Sequence, residues 1–141
     1  MIIADRASDA TWRMATEHAE RSHRTEIGHG AGSWRFGAEM AQKLDPEETV
    51  YFVEDDYLHL PGSRRILLEG LERADYVSLY DHGDKYQYEG ANHFVLPEGG
   101  ERTIVFRTKN THWKFTNSTT MTFATTVKTL KDDWPIWDKW T

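Results

Sequence analysis

The chain has 141 residues, no cysteine and a formal net charge of -6 at pH 7. That length suits one domain with a core of its own. The lack of cysteine excludes disulfides, thiolate metal sites and a cysteine nucleophile, and the acidic balance argues against nucleic acid or an anionic membrane as partner.

Hydrophobic residues make up 38% and aromatics 13%, a composition of folded rather than disordered chains. No apolar run approaches membrane-spanning length, and the N-terminus lacks the charged-then-apolar pattern of a secretion signal. A cytoplasmic protein without a transmembrane segment is therefore expected. Asn117-Ser118-Thr119 matches a glycosylation sequon, which would be idle there.

Met1 to Ala4 is a short apolar run that can start as a strand. Ser8 or Asp9 can cap the helix that follows, over 10–21, with Trp12, Ala15 and Ala19 on one face. A weak strand is expected over 25–27, then a glycine-rich loop, Gly28-His29-Gly30-Ala31-Gly32-Ser33, then a helix over 34–44 that buries Phe36, Met40 and Leu44.

The stretch Thr49-Val50-Tyr51-Phe52-Val53-Glu54-Asp55-Asp56-Tyr57-Leu58-His59 follows. Its β-branched and aromatic start reads as a buried strand. It then turns to three consecutive carboxylates, which repel one another and cannot be buried unpaired. Two readings stand. An all-oxygen set at a strand end suits Mg²⁺ or Mn²⁺ holding a diphosphate; a solvated acidic turn explains the same residues.

Pro61 opens a helix whose packed face is Ile66, Leu67, Gly70 and Leu71, and Tyr76-Val77-Ser78-Leu79-Tyr80 reads as a second buried strand. This alternation predicts an α/β fold with a mostly parallel sheet. Residues 81–100 read as an irregular excursion. Antiparallel strands are expected over 103–108 and 113–123, and a short helix over 127–133 that Trp134-Pro135 ends.

Asp81-His82-x-Asp84 offers an acid/base pair or a further metal ligand, or is loop polarity with His82 bonded locally. His82, His93 and His112 match no zinc spacing. Trp113, Trp134, Trp137 and Trp140 could stack sugars or serve packing, and Trp113 is the one retained as a stacking candidate.

Several blocks in order carry a resemblance. Ile2-Ile3-Ala4-Asp5-Arg6-Ala7-Ser8-Asp9-Ala10-Thr11, then Gly28 to Ser33, Val50 to Asp56 with its Glu-Asp-Asp, and Pro61-Gly62-Ser63 resemble family 2-type glycosyltransferases of the GT-A fold. Tyr76 to His82, Thr111-His112-Trp113 and Asn117 to Ala124 look like a bacterial and viral subgroup of them.

The resemblance implies a GT-A-like, mostly parallel sheet flanked by helices, with a small antiparallel part in the C-terminal half. Residues 1–80 would bind nucleotide and 81–141 would face the acceptor, within a single domain over 1–141. It implies transfer of a sugar from a nucleotide-diphosphate donor, of UDP type, to a saccharide or other hydroxyl acceptor, with Mn²⁺ or Mg²⁺ bound.

Donor-binding roles would fall to Asp5, Ser33, Glu54 and Asp55. Metal ligation would fall to Asp56 directly and to Asp55. Sugar or acceptor contacts would fall to Trp113, Asn117 and Ser118, and Asp81, His82 and His112 remain the catalytic candidates. Those enzymes have a further strand before the block at Asp5 and a base further downstream. The expectation is a domain truncated at both ends, or one whose gaps another copy or subunit covers. The other readings are a non-catalytic module that binds nucleotide, carbohydrate or its own copies, and metal-assisted nucleotidyl transfer or phosphate hydrolysis.

Overall fold

The computed structural model describes residues 1–81, 103–116 and 119–141. It is a mixed α/β structure in two compact units, Met1–Glu48 with Val127–Thr141, and Thr49–Thr126.

In the first unit, β1 (Ile2–Asp5) and β2 (Ser22–Thr25) pair in parallel, joined by helix α1 (Asp9–His18). A parallel pair needs such a crossover. Ser8 caps α1, its Oγ accepting the Thr11 N–H at 3.1 Å, which satisfies one of the free donors of the first turn. The helix stops at His18, short of the predicted 21. Ser22 is drawn into the pairing with Ile2, and its hydroxyl donates to the Ala15 carbonyl at 3.0 Å. The strand thus precedes the predicted 25–27.

Helix α2 (Gly30–Ala41) also starts early. Gly30 to Ser33 were expected as loop. They form its first turn because His29 takes the capping position, Nδ1 accepting the Gly32 N–H at 3.0 Å. Trp34, Gly37, Ala38 and Ala41 are its buried residues, so its inner face is offset from the predicted Phe36, Met40 and Leu44, which are only half-buried.

Helix α3 (Ser63–Leu71) belongs to the second unit and is described below; helices α4 (Val127–Asp132) and α5 (Trp134–Trp140) complete the first. The Val127 and Lys128 N–H groups, free at a helix start, donate to Glu48 and Pro46 carbonyls at 2.9 Å each. Pro135 does not end the helical region as predicted. It sits in the first turn of α5, where a missing N–H costs nothing. Arg35 ties α5 to α2 through Asp138 and lies over the Trp134 ring at 5.6 Å, while Trp34 and Trp137 meet at 4.7 Å. Fully buried Val127 and Leu130 anchor this core.

In the second unit, β3 (Thr49–Phe52) pairs antiparallel with β6 (Phe123–Thr126), from Thr49↔Thr126 to Phe52↔Phe123. The predicted strand at 76–80 contributes one antiparallel bridge, Val77↔Ala124. The predicted strand over 113–123 is split. Its first part is β5 (His112–Lys114), paired antiparallel with β4 (Val105–Arg107), and its last residue begins β6.

Phe123 is fully buried and touches the rings of Phe52 and Tyr76 at 5.4 and 5.5 Å. Burying such a ring contributes about 1.5–3 kcal/mol. Leu67 of α3, Val77 and Ala124 form a core cluster against which Tyr51, Leu79 and Trp113 pack. α3 starts at Ser63, after Gly62 takes the left-handed conformation at φ 87°, so Pro61 lies in the turn before it.

Candidate functional site

The acidic triplet leaves the end of β3 as expected, and Glu54, Asp55 and Asp56 are all exposed. The buried Thr122 holds its first residue. The Glu54 N–H donates to Thr122 Oγ1 at 3.2 Å, and that hydroxyl reaches Glu54 Oε2 at 3.3 Å. A hydroxyl can accept and donate at once, so one side chain fixes both backbone and carboxylate.

Among the described residues no three Asp, Glu or His side chains converge where one metal ion could take them all. Asp55 and Asp56, exposed neighbours in the chain, are the residues that would offer oxygen ligands to a cation here.

A cavity of about 380 Å³ lies in the same unit. That is within the range of roughly 300–1,000 Å³ typical of small-molecule sites. β5 supplies His112, Trp113 and Lys114 to its wall, and the segment after Val77 supplies Tyr80 and Asp81. Three sequence-predicted residues, Asp81, His112 and Trp113, are thus brought together.

Trp113 is fixed from behind. Its Nε1 donates to Thr108 Oγ1 at 3.1 Å, and its six-membered ring lies where a side chain on Gly70 would stand, 3.0 Å from an added Cβ. Glu69 braces the β4–β5 turn, accepting the Asn110 N–H at 3.0 Å and the Asn110 side-chain amide. The side-chain bond from Asn110 foremost, then Thr108, the Asn110 backbone and the charge of Arg65, outweigh burial and hold the Glu69 carboxyl below its ordinary value.

Sequence reasoning missed Lys114. Its Nζ stands 3.6 Å from Asp81 Oδ1; its side chain is 18% exposed and that of Asp81 61%. Its place directly after Trp113 was the only available signal, and nothing local links it to Asp81. Also missed was the edge-on contact of Tyr57 and Tyr80, with centroids 5.1 Å apart. Tyr51 Oη and His59 Nε2 share a 2.9 Å hydrogen bond, and burial first, then Tyr57, pushes the Tyr51 phenol up.

The first unit brings Asp5 and Ser33 together, but in a closed network. Asp5 Oδ1 accepts from Thr25 Oγ1 at 2.9 Å and the Ile27 N–H at 2.7 Å. Its Oδ2 accepts from the Gly28 N–H at 2.7 Å and Ser33 Oγ at 3.0 Å. Those four bonds fill the acceptor sites of a carboxylate. Burial alone would raise this carboxyl; the bonds from Gly28, Thr25, Ser33 and Ile27 outweigh it and hold it below its ordinary value. His82, Asn117 and Ser118 lie outside the described residues.

Set beside protein-family models, curated proteins and solved structures, the chain gives no match.

Proposed function

We propose that the chain is a metal-dependent glycosyltransferase of the GT-A type, moving a sugar from a nucleotide-diphosphate donor to a hydroxyl acceptor. The observation that supports this most is the Tyr57–Tyr80 contact. Tyr57 directly follows Asp56 and Tyr80 directly precedes Asp81, so the pair ties the acidic turn to the cavity wall. Diphosphate binding and sugar binding are then adjacent, as group transfer between them requires.

Asp56 and Asp55 would hold Mn²⁺ or Mg²⁺, with Glu54 steadied by Thr122 beside them. The cation, when bound, would neutralise the departing diphosphate. Trp113 would carry the C–H face of a sugar ring, because apolar sugar faces pack on aromatic rings. Asp81 or His112, both on the cavity wall, would take the proton of an acceptor hydroxyl. Asp5 would act from the first unit as a positioning residue, holding the Gly28 to Ser33 segment in the fold rather than bonding a ribose directly.

A non-catalytic binding module is the second reading. It is favoured by one feature: among the described residues Asp81 is the one carboxylate on the cavity wall, and it is ion-paired with Lys114.

Turnover separates the two. Purified chain is incubated with UDP-glucose, UDP-galactose or UDP-N-acetylglucosamine, Mn²⁺ and a panel of saccharides, and UDP release and extended product are followed. A new glycoside formed by the wild type and lost in Asp56→Ala supports transfer. Donor hydrolysis without any glycoside points to phosphate chemistry, and binding without turnover to the module.

A further inference from the structure

We propose that the cavity binds an oligosaccharide rather than a single sugar, with Trp113 under one ring and Phe115 under the next. This deepens the transferase reading and rests on it for the identity of the ligand as a saccharide. Both aromatic residues line the cavity. They belong to one extended segment. β5 ends at Lys114, but its ladder runs one residue further, because the Phe115 N–H donates to the Ile104 carbonyl at 3.1 Å. Alternate residues of a strand share a face, so Trp113 and Phe115 project to the same side. Residues i and i+2 of a strand stand about 7 Å apart, a step on the scale of one sugar ring.

Each ring is held in place. Gly70 leaves room for the Trp113 ring, and Thr108 accepts its indole N–H. Phe115 meets Phe106, the cross-strand partner of Trp113, with centroids 5.2 Å apart. The Arg73 guanidinium lies over Phe106 in turn, 5.5 Å from its centroid. The Phe115 carbonyl accepts from Thr103 Oγ1, so its backbone is tied on both sides. Yet Phe115 remains 48% exposed. Covering a ring that is already fixed gains contact area at little cost in ordering.

The rest of the wall favours a saccharide over a hydrocarbon. Ser78, Thr116 and Thr119 bring hydroxyls to the same cavity. A hydroxyl both donates and accepts, which matches the hydroxyl edges of a sugar whose C–H faces rest on aromatic rings. Trp113 is the platform for the first ring, and Phe115 is the residue that reads chain length.

The test is calorimetry with the whole chain. The probes are methyl β-glucoside beside methyl β-cellobioside and methyl β-lactoside, and methyl α-glucoside beside methyl α-maltoside, with octyl β-glucoside as the apolar comparison. Expected for the wild type is that at least one disaccharide binds about fivefold or more tighter than its monosaccharide, as stacking of one further ring provides. Phe115→Ala should remove that increment. Phe115→Leu, which keeps apolar bulk without a flat face, should remove it too, and Phe115→Tyr should keep it. A purely structural role would weaken both chain lengths by the same factor. Equal binding of mono- and disaccharide in every pair, an increment that survives in Phe115→Ala, or no binding of any glycoside overturns the inference. So does an octyl chain that tightens binding where a second sugar does not, which would assign the aromatic face to an apolar ligand. Mn²⁺-dependent UDP binding, measured on the same preparation, reports on the transferase reading separately.

Discussion

Tyr57 and Tyr80 meet edge to face, with ring centroids 5.1 Å apart and planes at 87°. One follows the acidic triplet and the other lines the cavity, so two features far apart in sequence share a single joint. Tyr57→Ala and Tyr80→Ala should each lower stability modestly, and a double-mutant cycle should return a coupling of about 0.5–1.5 kcal/mol. Denaturant unfolding of the four proteins gives this number. Additive effects within error would mean that the turn and the wall are independent.

Gly70 is closely packed on the cavity wall. A Cβ there would come within 2.7 Å of Val77 Cγ1 and 3.0 Å of the Trp113 ring. Real Cβ atoms do not approach so closely, so Gly70→Ala must shift Val77, Trp113 or both. The expected cost is about 1–3 kcal/mol, read from the denaturation midpoint, together with altered tryptophan emission as Trp113 moves. A neutral or stabilising result, as alanine gives on an open helix surface, would show that the wall yields.

Thr122 links packing to the proposed chemistry. It is buried, yet its hydroxyl both accepts from the Glu54 N–H and reaches its carboxylate. Thr122→Val keeps the shape and removes the hydroxyl. It should weaken Mn²⁺-dependent UDP binding by about fivefold, as expected for the loss of roughly 1 kcal/mol of hydrogen bonding. Thr122→Ser should restore it. Equal affinity in the valine variant would leave Glu54 without a part in the site.

Asp5 gives a pH signature to the first unit. Its carboxyl is held below the ordinary value of 3.8. A depressed carboxyl contributes stability that is present above the unfolded value and lost as pH falls through the folded one. Asp5→Asn should therefore be less stable than wild type near neutrality, and the gap should close as the pH drops below 3.8. Unfolding curves across that range, followed by Trp34 and Trp137 emission, check the sign. A gap that widens in acid would contradict it.

Local signals read well where the neighbours in the chain decide the structure. Ser8 as a helix cap, the β-branched start of β3 and the helix after Pro61 are of this kind, because capping, propensity and turn chemistry act over a few residues. The pairing of β3 with β6 was not legible. Thr49 to Phe52 would suit a parallel or an antiparallel neighbour equally, and the partner that decides lies far along the chain. The strand expected at 76–80 yields only the Val77 bridge for the same reason: propensity was present, and a partner was found for one residue.

Gly30 and Gly32 misled in the other direction. Glycine disfavours helix, yet the His29 cap and the buried face of Trp34, Ala38 and Ala41 outweigh that preference. At the candidate site, the carboxylates and Trp113 announce themselves by residue type. The Asp81–Lys114 pair does not, since only the folded chain brings the lysine at the end of β5 to Asp81.

Whether the acidic turn binds a cation together with a nucleoside diphosphate is best measured by calorimetric titration of the chain with UDP, with and without Mn²⁺, beside Asp56→Ala. Binding should require Mn²⁺ and be lost in the variant, while the unfolding midpoint of the variant stays that of the wild type. Binding of UDP that is indifferent to Mn²⁺ and to Asp56, or no binding of any nucleoside diphosphate under either condition, would contradict a cation–diphosphate site at Glu54-Asp55-Asp56.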